Sequence, residues 1–242
     1  MSFETAFTKD NLDLMLKELG KEFRRLNGTK MPAEIILLGG ASILANYGFR
    51  AMTYDMDAII TASSVMKDAI NRVGDKHGLP NGWLNADCMR TTSYSPRLLE
   101  VSVYYKTFSN ILTVRTVAAE YLVATKLMSG RRYKNDLSDV AGILWEHEKR
   151  GASITRDAVD TALKRLYGGW EQVPARSIEF FDMALDSGDY EALYQQRKKR
   201  EHETKEELLE VERASPGLLR EGNLDAVLEA ARPKRKKNQR ER

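Results

Sequence analysis

The stretch IILLGGASILANYGFRAMTYDMDAII, residues 35–60, decides the fold of this chain. An apolar, β-branched run ends in Gly39 and Gly40, a short segment of small residues follows, and Asp55 and Asp57 open a second apolar run. The first run predicts a buried strand that delivers the two glycines to a tight turn. Because glycine has no Cβ, backbone N–H groups in such a turn can approach a ligand closely.

The two aspartates are spaced as neighbours on one face of a strand. Residues two apart in a strand point the same way, so Asp55 and Asp57 share a face and Met56 points to the other. Two like charges at one sheet edge repel unless a cation lies between them, and a divalent metal fills that position well. A phosphate-approaching turn beside a carboxylate pair indicates phosphoryl or nucleotidyl transfer, and the alternative is an ordinary turn with two solvent-facing acids.

This arrangement resembles the signature of the nucleotidyltransferase superfamily with the DNA polymerase β-like fold. Within the superfamily it is most similar to the minimal AbiEii-like group, in which an arginine and a threonine precede the acidic pair, as Arg50 and Thr53 do here. The resemblance implies that Asp55 and Asp57 hold two Mg²⁺ ions. It also implies that the two glycines bind an NTP and that the Ser42 hydroxyl touches its β- and γ-phosphates, although Ser42 could merely start a helix.

A third carboxylate completes the metal site in this superfamily. Glu100 is the candidate, because the predicted strand 98–105 has one apolar face and an acid on its other face must be paired or solvated. Asp87 is the second choice. The alternative for Glu100 is a solvated residue on an edge strand.

A second cluster of charges lies in KLMSGRRYKNDLSDV, residues 126–140. It resembles the helical motif that follows the core in AbiEii-like proteins. By that resemblance Lys126 contacts nucleotide phosphates, Arg131 holds phosphate or supports the acids, and Asp136 completes the catalytic site. The alternative is structural: Asp136 is a stabilising negative charge at a helix N-terminus, and Arg131 is its partner in a salt bridge.

Charge is distributed unevenly along the chain. Residues 232–242 contain seven Lys or Arg and one acid, a net +6, whereas the whole chain carries +3, so residues 1–231 carry about −3. We predict that this basic tail is disordered. It could steer an RNA acceptor by releasing counterions, or serve only as a solubilising terminus.

Composition excludes several classes of protein. A single cysteine, Cys88, excludes an internal disulfide framework and favours a reducing compartment, and three scattered histidines argue against a zinc site. No stretch is long and apolar enough to cross a bilayer, so we expect a cytoplasmic protein.

Strands dominate the first half of the chain and helices the second, which predicts an α+β fold with a mixed sheet, flanking helices and a helical C-terminal half. We predict a nucleotidyltransferase-like core over residues 1–150, a helical region over 151–231 and the tail 232–242. Strands are predicted at 34–38, 57–61, 98–105 and 111–114. Helices are predicted at 10–26, 41–47, 63–76, 116–128, 136–149, 155–167, 175–186 and 188–213.

The resemblance implies a Mg²⁺-dependent enzyme that moves a nucleoside monophosphate from an NTP to a hydroxyl, on a tRNA end or a protein side chain. Its setting could be a toxin–antitoxin or phage-defence system with a cognate antitoxin. Two alternatives stay open: a catalytically silent member of the fold that binds a nucleotide or a partner, and a nucleic-acid-binding module that acts through the tail.

Overall fold

A computed structural model describes residues 6–54, 56–220, 223–224, 226–228 and 230. Asp55 and the basic tail lie outside the described residues. The strands are β1 Phe7–Thr8, β2 Ala33–Leu37, β3 Met52–Thr53, β4 Met56–Thr61, β5 Leu84–Asn85, β6 Ser102–Phe108 and β7 Leu112–Val117. The helices are α1 Lys9–Asn27, α2 Gly39–Asn46, α3 Val65–His77, α4 Ala119–Ser129, α5 Asp136–Lys149, α6 Arg156–Tyr167, α7 Ala175–Ser187 and α8 Tyr190–Ala214.

Five strands form one mixed sheet in the order β5-β4-β2-β7-β6. β2 lies at its centre, antiparallel to β4 and parallel to β7, and β5 and β6 form the two edges. The short strands β1 and β3 pair separately as an antiparallel ribbon. The predicted α+β class with a mixed sheet and a mainly helical C-terminal half is therefore confirmed.

The central strand β2 faces a hydrophobic core on each side of the sheet. Ile35 and Leu37 belong to one core, which α1 and α3 cover, whereas Ile36 belongs to the other. Alternate residues of a strand point to opposite faces, so a strand covered on both faces has a continuous apolar sequence. The second core continues through α4 and α5 into α6 and α7, where Phe180 and Phe181 are buried.

The C-terminal helix α8 corresponds to the helix predicted over 188–213. It is one continuous helix of 25 residues that packs against α5. Tyr194, Glu201, Thr204 and Leu208 are its buried residues. The sequence is so rich in charge that the narrow buried face is hard to recognise by periodicity. Within the described ranges, no helix has the length and apolar character that a membrane-spanning segment needs.

The prediction of a strand over 98–105 is wrong in its first half. Residues Pro96–Leu99 form a 3-10 helix, which Ser95 caps by accepting a hydrogen bond from the Arg97 amide, and β6 begins only at Ser102. Pro96 favours this arrangement because its fixed φ suits the first position of a helical turn. As a consequence, Glu100 follows a helical turn and is not on a strand.

Candidate active site

The glycine turn lies between β2 and α2, beside the start of β4. The Leu38 amide donates a hydrogen bond to the Asp57 carbonyl over 2.8 Å, which ties the turn to the acidic strand. Gly39 has a φ of +49°, and a Cβ built on it would lie 3.9 Å from Asp57 Oδ2. The helix begins at Gly39 rather than at the predicted residue 41, so the glycine amides form its first turn, where N–H groups have no intrahelical acceptor. The Asp57 carboxylate therefore lies beside the first turn of α2.

Gly40 lies against the loop that leads to the acidic strand. A Cβ at this position would lie 2.6 Å from Thr53 Oγ1 and 2.8 Å from Arg50 Nη2. A Cβ atom essentially never lies this close to another heavy atom, so any side chain at position 40 would displace Thr53 or Arg50. The Arg50 and Thr53 that accompany the glycines in sequence are thus the residues that pack on Gly40 in space.

A buried network of charges joins α4, α5 and this loop. Lys126 Nζ lies 3.0 Å from Asp136 Oδ1 and 2.7 Å from Asp139 Oδ2. Arg131 donates to Asp136 through its backbone amide at 3.0 Å and through Nε at 2.9 Å. Arg50 Nη1 donates to both carboxylate oxygens of Asp139, at 2.8 and 2.5 Å. Three cations and two carboxylates therefore pair with one another, with Lys126 at the centre.

Burial and pairing act in opposite directions on the pKa values in this network. Burial alone would raise the pKa of Asp136, but Lys126 and Arg131 outweigh it and hold that pKa well below its usual range. Burial alone would lower the pKa of Lys126, but Asp139 and Asp136 outweigh it and raise that pKa. Both groups are charged at neutral pH, so the network is an ion-pair cluster.

Glu201 of α8 is buried beside the network and binds the first turn of α5. Its Oε1 accepts the backbone N–H groups of Leu137 and Ser138, each at 3.1 Å, in the first turn of α5. Its Oε2 is buried with no hydrogen-bond partner. Burial raises the pKa of Glu201 to about 7, and the nearby charges of Asp139 and Asp136 act in the same direction. Nothing in the local sequence indicated this role, because it joins residues more than sixty positions apart.

The glycine turn and the network face one cleft of about 750 Å³. Proteins bind small molecules in clefts of about 300–1,000 Å³. Among the predicted site residues, the cleft is lined by Gly39, Asp57, Lys126, Arg131 and Asp136. It is also lined by Asp87, Cys88, Arg90 and Arg176, of which only Asp87 was considered from the sequence. Burial raises the pKa of the Cys88 thiol to about 12, so it is not a reactive thiolate.

Three predicted residues do not line the cleft: Gly40, which packs against Thr53 and Arg50, and Ser42 and Glu100. Ser42 is fully buried, and its Oγ accepts the Val117 amide at 3.1 Å, so the hydroxyl joins α2 to β7 and does not line the cleft. Glu100 is exposed and pairs with Arg165 of α6 at 3.0 Å, also away from the cleft. The expectation that Glu100 lies on a strand is therefore wrong, whereas the roles expected for Ser42 in phosphate binding and for Glu100 in metal binding stay predictions.

The donor chemistry of the cleft fits a hard divalent cation. Asp57 and Asp87 offer carboxylate oxygens, which Mg²⁺ prefers, and Asp57 faces the turn where phosphates would bind. Within the described part of the chain, no three metal-binding side chains are gathered into one cluster. Asp55, the sequence partner of Asp57, lies outside that part.

The family model of nucleotidyltransferases of unknown function, DUF6036, matches residues 15–145. The chain belongs to this family. The match covers more than half of the chain and includes the glycine turn, the acidic strand and the buried network, whereas Arg176 and the whole of α8 lie beyond it. No curated protein and no solved structure matched the chain. As nucleotidyltransferases, members of DUF6036 are expected to use an NTP and a divalent metal.

Proposed function

We propose that this DUF6036 chain transfers a nucleoside monophosphate from an NTP to an acceptor hydroxyl within the cleft. One observation carries the proposal: Gly39 of α2, Asp57 of β4 and Arg131 of the loop between α4 and α5 line the same cleft. The N–H groups in the first turn of a helix and a cationic side chain can bind phosphate, and a carboxylate beside them can bind a metal. The size of the cleft suits a nucleotide.

The transfer itself is a single displacement at phosphorus. The acceptor oxygen forms a bond to the α-phosphorus, the bond from that phosphorus to the bridging oxygen breaks, and pyrophosphate leaves. The proton of the acceptor hydroxyl passes to a carboxylate of the cleft or to water. Mg²⁺, held by Asp57 and by its sequence partner Asp55, would neutralise phosphate charge and activate the hydroxyl.

The cationic side chains of the cleft have two roles in this proposal, which are contact with phosphate and positioning of α5. Arg90 is exposed at the rim and can meet the phosphates directly. Lys126 is buried and already holds Asp136 and Asp139, so we assign it to positioning α5 and not to a first contact with phosphate. Arg131 combines both roles, because it pairs with Asp136 and is one-third exposed.

The test is a labelling assay. Purified full-length protein is incubated with each α-labelled NTP, Mg²⁺, total RNA and cell extract, and compared with Asp57→Asn. We expect label on an acceptor with the wild type and a loss of about 10²-fold or more with Asp57→Asn. Asp75→Asn, which removes an exposed acid of α3, is the matched control and should label normally. Absence of NTP binding in the wild type would refute the proposal.

A silent, nucleotide-binding member of the fold is the second candidate. The positions of Ser42 and Glu100 favour it, because two residues expected to serve the transfer are engaged elsewhere. This candidate predicts Mg²⁺-dependent NTP binding without label on any acceptor. The AbiEii-like branch, the toxin role and a cognate antitoxin rest on the sequence motifs alone and stay predictions.

A further inference from the structure

A second cavity, of about 440 Å³, adjoins α8. Gln195, Lys198, Lys199, His202 and Lys205 line it from α8, and we call it the basic groove. Their spacing of three or four residues places them on one face of the helix, as a stripe about 15 Å long at a rise of about 1.5 Å per residue. The three lysines are exposed.

The basic groove and the cleft share a lining residue. Tyr133, which follows the arginine pair ahead of α5, lines both cavities. Lys205 Nζ lies 5.8 Å from the centre of the Tyr54 ring, and Tyr54 directly precedes the acidic pair in the chain. A ligand that lies along the groove can therefore reach the edge of the sheet where Asp57 is placed.

The groove is positive on a body that is negative. Residues 1–231 carry about −3, yet the groove presents three lysines at its surface. Its one acidic lining residue, among those the structure describes, is Glu201, which is only 6% exposed and faces the first turn of α5. A local cluster of positive charge on a protein body with a net negative charge is typical of a surface that binds polyanions.

We propose that the basic groove binds the single-stranded end of a nucleic-acid acceptor, whose terminal hydroxyl enters the cleft. This inference rests on the proposed function and names its acceptor. Lysines are compact charges that contact successive phosphates without reading sequence. Tyr133 lines both cavities and is half-buried, and Tyr54 beside Lys205 is 43% exposed, so each ring reaches the surface where a base could stack on it. A protein acceptor would need neither the row of charges nor the rings.

The test measures binding of labelled 12-nucleotide RNA and DNA strands by fluorescence anisotropy across a series of KCl concentrations. The triple variant Lys198→Gln/Lys199→Gln/Lys205→Gln should lose about tenfold or more in affinity, and its salt slope should fall by about 2. The matched control is Lys9→Gln/Lys17→Gln/Lys67→Gln, which removes the same charge from exposed positions on α1 and α3. We expect the control to bind within about twofold of the wild type. The difference between the RNA and DNA arms identifies the kind of strand.

Three outcomes would overturn the inference. Equal losses in both triple variants would mean general electrostatic attraction, and a loss found only on deleting residues 232–242 would assign binding to the tail. Label that appears on protein and never on nucleic acid would show that the acceptor is a protein. NTP binding is measured on the same variants without nucleic acid, which distinguishes failure of this inference from failure of the proposed function. The lysine triple variant should bind NTP as the wild type does.

Discussion

At the scale of single residues, the glycine at position 40 is explained by the packing of its neighbours. The residue has no positive φ, so backbone strain does not explain the glycine. The explanation is space, since Thr53 and Arg50 occupy the volume that a side chain would need. Arg50 is also held by Asp139, so it cannot move without disturbing the buried network.

Gly40→Ala therefore tests whether Thr53 and Arg50 can move to make room for a side chain at position 40. We expect the free energy of unfolding to fall by about 1–3 kcal/mol, because Thr53 is buried and cannot yield by turning into solvent. NTP affinity should fall as well, since the glycine turn would shift. Chemical denaturation and a nucleotide titration measure the two effects.

Gly48→Ala is the matched control for that variant. A Cβ at Gly48 would lie 3.9 Å from Glu146 Oε1, an ordinary contact, and its φ is not in the positive range. The control should be neutral or slightly stabilising, because alanine restricts the unfolded chain. Equal effects of the two substitutions would show that the space at Gly40 is not limiting.

At the scale of elements, the packing of α8 on α5 depends on the protonation of Glu201. The pKa of Glu201 is raised from 4.5 to about 7 by burial, so the folded protein holds this proton more tightly than the unfolded chain does. The free energy of unfolding therefore declines as pH rises from about 4.5 to about 7 and levels off above that, by roughly 3 kcal/mol for this one group. The carboxylates of Asp136 and Asp139 are the charges that oppose its ionisation.

Glu201→Gln should remove this dependence. The amide keeps an oxygen that can accept the two N–H groups of α5 and carries no charge, so the variant should be more stable than the wild type at pH 8 and nearly equal at pH 5. Urea denaturation at pH 8 and at pH 5 measures the difference in the free energy of unfolding. Glu203→Gln, an exposed neighbour on α8, is the control and should leave the pH dependence unchanged. A variant less stable than the wild type at pH 8 would contradict the assignment.

At the scale of the whole molecule, the proposed division at residue 150 crosses a continuous core. Helices α6 and α7, which follow that boundary, pack on α4, which precedes it, and their apolar residues belong to one cluster. A domain that folds alone needs its own core. The shared cluster therefore favours one cooperative unit over two.

We expect a single unfolding transition for the full chain. Trp83 reports on the core under α1 and α3, and Trp170 packs against the other core, so variants that keep only one of these tryptophans should give coincident midpoints. The fragment 1–150 should lack a cooperative transition, because it leaves the α4 face uncovered. Two separate midpoints, or a fragment that melts cooperatively, would support independent folding of the two parts.

Much of the core could be predicted because its signals are local. The apolar run before Gly39, the glycines and the apolar run from Met56 each encode their element within a few residues, so strand, turn, helix and strand follow in the predicted order. In residues 126–140, the salt bridge between Arg131 and Asp136 matches the structural alternative given for this cluster, whereas the pairing of Lys126 with Asp136 and Asp139 was not predicted.

The rest depends on contacts between residues far apart in the chain. By itself the sequence determined the class of fold, the glycine turn beside the acidic strand and the unequal distribution of charge. Only the tertiary structure decided that Ser42 binds the Val117 amide, that Glu100 pairs with Arg165, and that Glu201 caps α5. The physical reason is that periodicity and spacing report which face a side chain occupies, whereas its partner across the fold is selected by the packing of whole elements.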